Sequence, residues 1–121
     1  MRNFRCLVVL ALVLGGTVLA QHKSASLQFL IVRDGNGKPV RNAEIVLHPV
    51  DKHGHQKSEG LELKTHEDGK ANVSGIPYGK LRIQVIAPGF KTYGDDYDIN
   101  LPSHDITIKL QKPSDQYSIY K

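Results

Sequence analysis

Short stretches in which apolar and polar residues alternate fill most of the chain, and glycine-containing segments separate them. The clearest stretch is residues 81–87, Leu-Arg-Ile-Gln-Val-Ile-Ala, where every odd-numbered position is apolar. Alternation of this kind places every second side chain on one face of a β-strand, and glycine supplies the positive φ angles that tight turns require. Turns are therefore predicted at residues 34–39, 67–70, 76–80 and 87–90.

The pattern predicts strands and no helix, because apolar residues never recur at helical spacing over three turns. Seven strands are predicted at residues 26–33, 43–48, 61–65, 71–73, 81–87, 97–101 and 105–110. The first is apolar on both faces, which indicates a central position in its sheet. Pro49 is predicted to end the second strand, since it has no amide N–H to donate. The result is an all-β fold, a small antiparallel sandwich whose core should contain Leu47, Ile83, Val85 and Ile108.

The first twenty residues have the composition of a signal peptide. Arg2 and Arg5 precede an apolar run at residues 6–14, and small residues lead up to Ala20. The run is shorter than the roughly 20 apolar residues that a membrane-spanning helix needs. We therefore expect cleavage after Ala20, export to the periplasm or out of the cell, and no stable membrane span afterwards. The predicted organisation is a signal peptide at 1–20, one domain at 21–112 and a C-terminal tail at 113–121.

The net charge and the cysteine content limit the partners and the stabilising bonds that are expected of the chain. The formal net charge of +4 falls to +2 once Arg2 and Arg5 are removed, and no run of basic residues interleaved with aromatics is present. Nucleic acid is therefore not an expected partner. Cys6 is the only cysteine and lies in the predicted signal peptide. The mature chain is expected to fold by core packing alone, with neither a disulfide nor a thiolate-bound metal.

Three motifs follow one another along the predicted domain: Asp34-x-x-Gly37-Lys38-Pro39-Val40, Thr65-x-x-x-Gly69-x-Ala71 and Ile76-Pro77-x-Gly79-x-Leu81. In this order they resemble the carboxypeptidase regulatory-like domains, which belong with the Cna-B-type and transthyretin-like sandwiches. The resemblance covers residues 27–110. It implies a seven-stranded, prealbumin-like Greek-key β-sandwich, and a fold that mostly serves as a non-catalytic module on exported proteins.

The catalytic branches related to these domains fit the chain poorly. Metallocarboxypeptidases bind zinc through a His-x-x-Glu pair, and no histidine here has Glu three positions later. Intradiol dioxygenases hold iron with two tyrosines and a His-x-His pair. His53 and His55 have that spacing, but all five tyrosines follow them in the sequence. The resemblance therefore favours a protein that is not an enzyme and holds no cofactor.

Histidines form one candidate site. His53 and His55 are two positions apart in a polar segment, so that on an extended backbone their rings point the same way. His48 or His66 could complete a three-nitrogen site for copper or zinc. The alternative is that these are solvated loop residues, because the segment contains Gly54 and several charges.

Aromatic residues form a second candidate surface. Tyr78, Phe90, Tyr93 and Tyr97 lie near the predicted turns, which a sandwich gathers at its ends. Aromatic rings stack on sugar faces, so a carbohydrate platform is one interpretation, and rings that cap the core are the other. The sequence thus predicts a non-enzymatic exported module that binds a protein or a glycan at the cell envelope or outside the cell. The alternative is a small exported metal-binding protein that uses the histidine region.

Overall fold

The computed structural model describes residues 23–113, which form seven strands and no helix. The strands are β1 (Ser24–Arg33), β2 (Glu44–Pro49), β3 (Leu61–Lys64), β4 (Lys70–Pro77), β5 (Gly79–Ile86), β6 (Tyr93–Ile99) and β7 (Ser103–Leu110). The predicted signal peptide lies outside the described residues, as do residues 114–121 of the predicted tail. No helix capable of crossing a membrane is found between residues 23 and 113.

The strands form two sheets, as the alternation predicts. One sheet has the order β4-β1-β7 and the other β3-β2-β5-β6. Four of the five strand pairs are antiparallel, but β1 and β7 are parallel, with Ser26 opposite Ser103 and Arg33 opposite Leu110. The expectation of an entirely antiparallel sandwich is wrong at this pair. The chain enters β7 from the other sheet, and it therefore runs in the same direction as β1 rather than returning beside it through a hairpin.

The core lies between the two sheets. Its largest fully buried side chains are Leu27, Phe29, Ile31, Ile45, Leu47, Ile83, Val85, Ile99, Ile108 and Leu110. Each stabilises the fold by about 1.5–3 kcal/mol through removal of apolar surface from water. The four predicted core positions are among them. β1 occupies the centre of its sheet, as its two apolar faces predict, because β4 covers one side of it and β7 the other.

The boundaries of some strands differ from the sequence prediction. β6 begins at Tyr93 and ends at Ile99, so the predicted strand at 97–101 starts too late and extends too far. Leu101 stands in the following turn and is 56% exposed. Pro49 is the last residue of β2, opposite Leu81. A proline is accommodated at this position because it closes the strand, where one missing N–H does not interrupt a continuing ladder.

The glycine-containing segments mark the breaks between strands but mostly not hairpins. Of the four predicted turns, only the one at 87–90 joins two neighbouring strands of one sheet, β5 and β6. The segment at 76–80 contains a crossing between the sheets, since Pro77 ends β4, Gly79 begins β5 and Tyr78 alone separates them. Gly79 has a φ of 137°, which a residue with a Cβ rarely adopts. The crossing positions Tyr78 at one end of the sandwich.

Candidate functional site

A groove opens at the end of the sandwich where β2 and β4 end and β5 begins, which we call the groove end. Its volume is about 360 Å³. Both sheets contribute to it, since β2 and β3 form one wall and the last residues of β4 form the other. Its apolar lining consists of Leu47, Pro49, Val50, Leu61, Ile76, Pro77, Tyr78 and Leu81.

The groove combines apolar walls with a charged rim. Leu61 is one of its lining residues and is 41% exposed, although it belongs to a strand. Lys57, Glu59 and Lys80 line the same cavity with charged side chains. Ligand sites are commonly concave surfaces with apolar walls and a few polar groups, and the groove has these features. Sequence reasoning missed this site because its walls come from two separate segments, residues 47–61 and 76–81, which only the packing of the two sheets brings together.

The segment between β2 and β3 begins with a small hairpin at the groove end, which we call the hairpin tip (residues 50–56). Val50 pairs with Gln56, and the Asp51 N–H donates to the carbonyl of His55 at 2.9 Å. One carboxylate oxygen of Asp51 accepts the backbone N–H groups of both His53 and His55, each at 2.9 Å. Residues 52–56 of the hairpin tip are exposed, and one carboxylate holds their backbone.

The structure brings two of the four candidate histidines together. The ring centroids of His53 and His55 are 6.4 Å apart, and His55 Nδ1 lies 4.0 Å from Asp51 Oδ2. His48 is on β2, opposite Arg82, and its ring covers Gly60, where a Cβ would collide with the ring. His66 follows β3 at the other end of the sandwich. Within residues 23–113 no three His, Cys, Asp or Glu side chains are grouped for a metal ion.

Two of the candidate aromatic residues form a hydrogen-bonded pair. The hydroxyls of Tyr93 and Tyr97, on the edge strand β6, are 2.6 Å apart. Tyr93 is opposite Val85 and Tyr97 opposite Leu81, so both rings share the core-facing side of β5. Burial, together with the hydrogen bond to Tyr93, raises the pKa of Tyr97 well above its ordinary value. Both rings pack against the core.

The other two aromatic residues lie at opposite ends of the sandwich. Tyr78 lines the groove, whereas Phe90 lies in the turn after β5 with the guanidinium of Arg33 5.8 Å from its ring centre. All four aromatic residues are partly buried and pack against the core. The four candidate aromatic residues therefore lie at three separate places and do not form one surface. Only Tyr78 lies in the groove.

On the outer face of the four-stranded sheet, one ion pair joins β5 to β6. The Arg82 guanidinium donates to both carboxylate oxygens of Asp96, at 2.8 and 3.0 Å. These hydrogen bonds hold the pKa of Asp96 below its ordinary value and raise the pKa of Arg82. Residues 82 and 96 are directly opposite in the register, so the pair is a cross-strand contact that supports the edge strand.

No protein-family model matches the chain, and no curated protein matches it either. Solved structures do match. A streptococcal ancillary pilin is 15% identical, with a TM-score of 0.64, over 76% of this chain and 30% of its own. The minor pilin of Streptococcus agalactiae is 20% identical, with a TM-score of 0.58, over 77% and 46%. The 3-chlorocatechol 1,2-dioxygenase of Rhodococcus opacus 1CP is 10% identical, with a TM-score of 0.61, over 77% and 62%.

These similarities establish the fold as a β-sandwich of the kind found in Cna-B-like pilins and in dioxygenases. The chain spans between 30% and 62% of the length of these three structures. Iron held by two tyrosines and a His-x-His pair is the arrangement that intradiol dioxygenases require. Here His53 and His55 are on the hairpin tip, whereas Tyr93 and Tyr97 are on β6, which β5 separates from β2. Within residues 23–113, Tyr93 and Tyr97 therefore lie on a strand that does not adjoin the strand leading into the hairpin tip.

Proposed function

We propose that this protein is an exported, non-enzymatic β-sandwich module that binds a protein or a glycan through the groove between its two sheets. The observation that carries the proposal is the groove itself, a concave surface of about 360 Å³ with apolar walls and a charged rim. Its lining offers contact area from Leu61 and Tyr78 and charges from Lys57, Glu59 and Lys80. The fold similarity to pilins supports the same function. It agrees with the resemblance of the sequence to modules of exported proteins.

The groove can be tested by photo-crosslinking in the producing cells. A benzophenone amino acid at position 61 lies in the groove, and one at position 101, which is more exposed, lies outside it. We expect a discrete adduct from position 61 and none from position 101, with the partner identified by mass spectrometry. A glycan array probed with the mature chain covers carbohydrate partners. Equal adducts from both positions, together with an empty array, would contradict the proposal.

Two further experiments test export and the absence of catalysis. We expect mass spectrometry of the extracytoplasmic fraction to find a chain that begins at Gln21, as the predicted cleavage requires. Purified protein supplied with ferric iron and catechol should consume no more oxygen than the iron and catechol alone. A full-length chain in the cytoplasm would overturn the first expectation, and iron-dependent ring cleavage would overturn the second.

A second candidate function is metal binding at the hairpin tip, favoured by the proximity of the His53 and His55 rings to each other and of His55 to Asp51. Calorimetric titration with zinc or copper would show tight stoichiometric binding that a His53→Ala/His55→Ala double variant loses. His66→Ala is the matched control, since His66 lies at the other end of the sandwich. Heat signals that are weak and unchanged in the double variant would exclude this function.

A further inference from the structure

The groove and the exit of the C-terminal segment lie at opposite ends of the sandwich. The position of β1 shows this, since its first residue, Ser24, pairs with Pro77 of the groove wall and its last, Arg33, pairs with Leu110 at the end of β7. The ten residues of β1 separate these two ends by about 30 Å at the rise of a β-strand. We call the end at Arg33 and Leu110 the tail end.

The chain leaves the tail end at a defined place. The carbonyl of Gln111 accepts the N–H of Lys91 at 2.7 Å, beside the turn between β5 and β6. From Gln111, an extended chain reaches Ile119 after eight residues, at most about 26–29 Å away. The groove wall on β4 is also two strands away from β7, which adds about 10 Å sideways. Tyr117, six residues from Gln111, reaches at most about 20–22 Å, so Tyr117 and Ile119 of the same molecule cannot both lie in the groove.

The composition of the segment matches the groove. Tyr117 and Ile119 are alternate residues, so an extended backbone places both side chains on one face, as the apolar walls require. The segment also carries charges of both signs, Asp115 and Lys121. The rim of the groove likewise offers charges of both signs, Lys57 and Lys80 with Glu59. Apolar contact and opposite charges can thus form together when the segment lies across the groove.

We infer that the groove of one molecule receives residues 114–121 of a second copy, so that copies associate head to tail. The inference rests on the proposed function, because it names the protein partner of the groove. The two contacting surfaces are different and lie at opposite ends, which makes the interface heterologous. Repetition of such a contact builds an open chain of copies and not a closed dimer.

The first experiment measures association of the mature chain by sedimentation velocity over a range of concentrations. We expect the mean sedimentation coefficient to rise with concentration in the intact chain. It should remain that of a monomer in a chain truncated after Pro113 and in a Tyr117→Ser/Ile119→Ser double variant. The truncated chain keeps all seven strands and should show an unchanged circular dichroism spectrum and melting curve. Concentration-independent monomer in the intact chain would overturn the inference.

The second experiment uses a fluorescein-labelled peptide of residues 114–121 and the chain truncated after Pro113. We expect saturable binding by anisotropy, weakened tenfold or more by Leu61→Glu, because about 1.4 kcal/mol of lost apolar contact corresponds to tenfold. Leu101→Glu is the matched control and should bind as the unchanged truncated chain does, since Leu101 is exposed outside the groove. The peptide with serine at positions 117 and 119 should not bind.

The outcomes separate this inference from the function on which it rests. Peptide binding by the truncated chain together with a monomeric intact chain would show that the segment does not join copies in the intact protein, and would overturn the head-to-tail contact. No peptide binding, with a discrete photo-adduct to another protein from position 61, would overturn the inference and leave the proposed function standing. Loss of both the peptide and the adduct would overturn both.

Discussion

At the tail end of the sandwich the chain seals the core with polar contacts, whereas at the groove end it leaves apolar side chains in contact with solvent. The tail end is sealed by Thr65, which is 3% exposed. Its hydroxyl donates to the carbonyl of Val40 at 2.7 Å and accepts the N–H of Ala43 at 2.9 Å. The segment that leads into β2 is thereby fixed against the end of β3.

Gly69 completes the closure of the tail end. Its carbonyl accepts the N–H of Ile31 at 2.8 Å, and a Cβ at this position would lie 2.6 Å from the Ile31 carbonyl oxygen. The groove end has a different construction, because Leu61 and Tyr78 border an open cavity there. The comparison teaches that one end of the sandwich provides stability through close packing, while the other is free to provide a binding surface.

The largest expected effect comes from glycine substitutions that compare the two ends. Gly69 and Gly75 both have a φ of 77°, but only at Gly69 would a Cβ meet the backbone. Gly69→Ala should lower the free energy of unfolding by about 2–5 kcal/mol, from left-handed strain together with forced displacement of the backbone. Gly75→Ala should cost only the strain, about 1–2 kcal/mol.

Urea denaturation of the two glycine variants measures this difference. Equal losses of unfolding free energy would mean that the close approach of Gly69 to Ile31 does not restrict the tail end. In that case the tail end would not be more closely packed than the groove end.

The next effect concerns the buried hydroxyl. Thr65→Val keeps the shape of the side chain but leaves the Ala43 N–H and the Val40 carbonyl without their partner. The free energy of unfolding should fall by about 2–3 kcal/mol, because buried polar groups without a partner bear the full cost of their desolvation. Thr107→Val on the exposed face of β7 is the control and should change stability by no more than about 0.5 kcal/mol. Similar melting temperatures for the two variants would show that the Thr65 contacts do not seal the tail end.

The smallest effect is expected from the ion pair that supports the edge strand near the groove end. The pKa of Asp96 is lower in the fold than its ordinary value of 3.8. The ion pair therefore stabilises the fold at pH values above 3.8, and this stabilisation is lost as the pH falls through the lowered pKa of Asp96. Asp96→Asn should therefore lower the melting temperature slightly at neutral pH and leave it unchanged at strongly acidic pH, since exposed pairs contribute little.

Asp98→Asn is the matched control for this pair, because Asp98 is also exposed on β6. Its melting curve should follow that of the unchanged protein at every pH. A lower melting temperature of Asp96→Asn that persists at acidic pH would mean that the effect of the substitution does not arise from the charge.

Much of the fold could be predicted because its signals are local. The alternation at residues 81–87 places Leu81, Ile83 and Val85 on one face whatever surrounds them, and these residues are indeed buried. The two apolar faces of β1 likewise predict its central position. Strand partners could not be predicted in this way, since the parallel pairing of β1 with β7 joins segments 77 residues apart, as the register of Gln28 with Asp105 shows.

The candidate site was harder to predict for the same reason. His53 and His55 are near in sequence and near in space, whereas His66 is placed at the other end of the sandwich by the direction of β3. Leu61 alternates like any strand residue, and nothing beside it in the sequence indicates that it borders a groove with Ile76 and Tyr78. A cavity depends on which elements meet, and that information is absent from any short window of sequence.

The sequence by itself determined the strands, their buried faces and the breaks between them, because a period of two and the positive φ of glycine act through a residue and its immediate neighbours. The tertiary structure alone decided which strands pair, which end of the sandwich is sealed and where the groove opens. These features depend on contacts between distant segments, whose free energies are comparable for several arrangements until all the strands pack around one core.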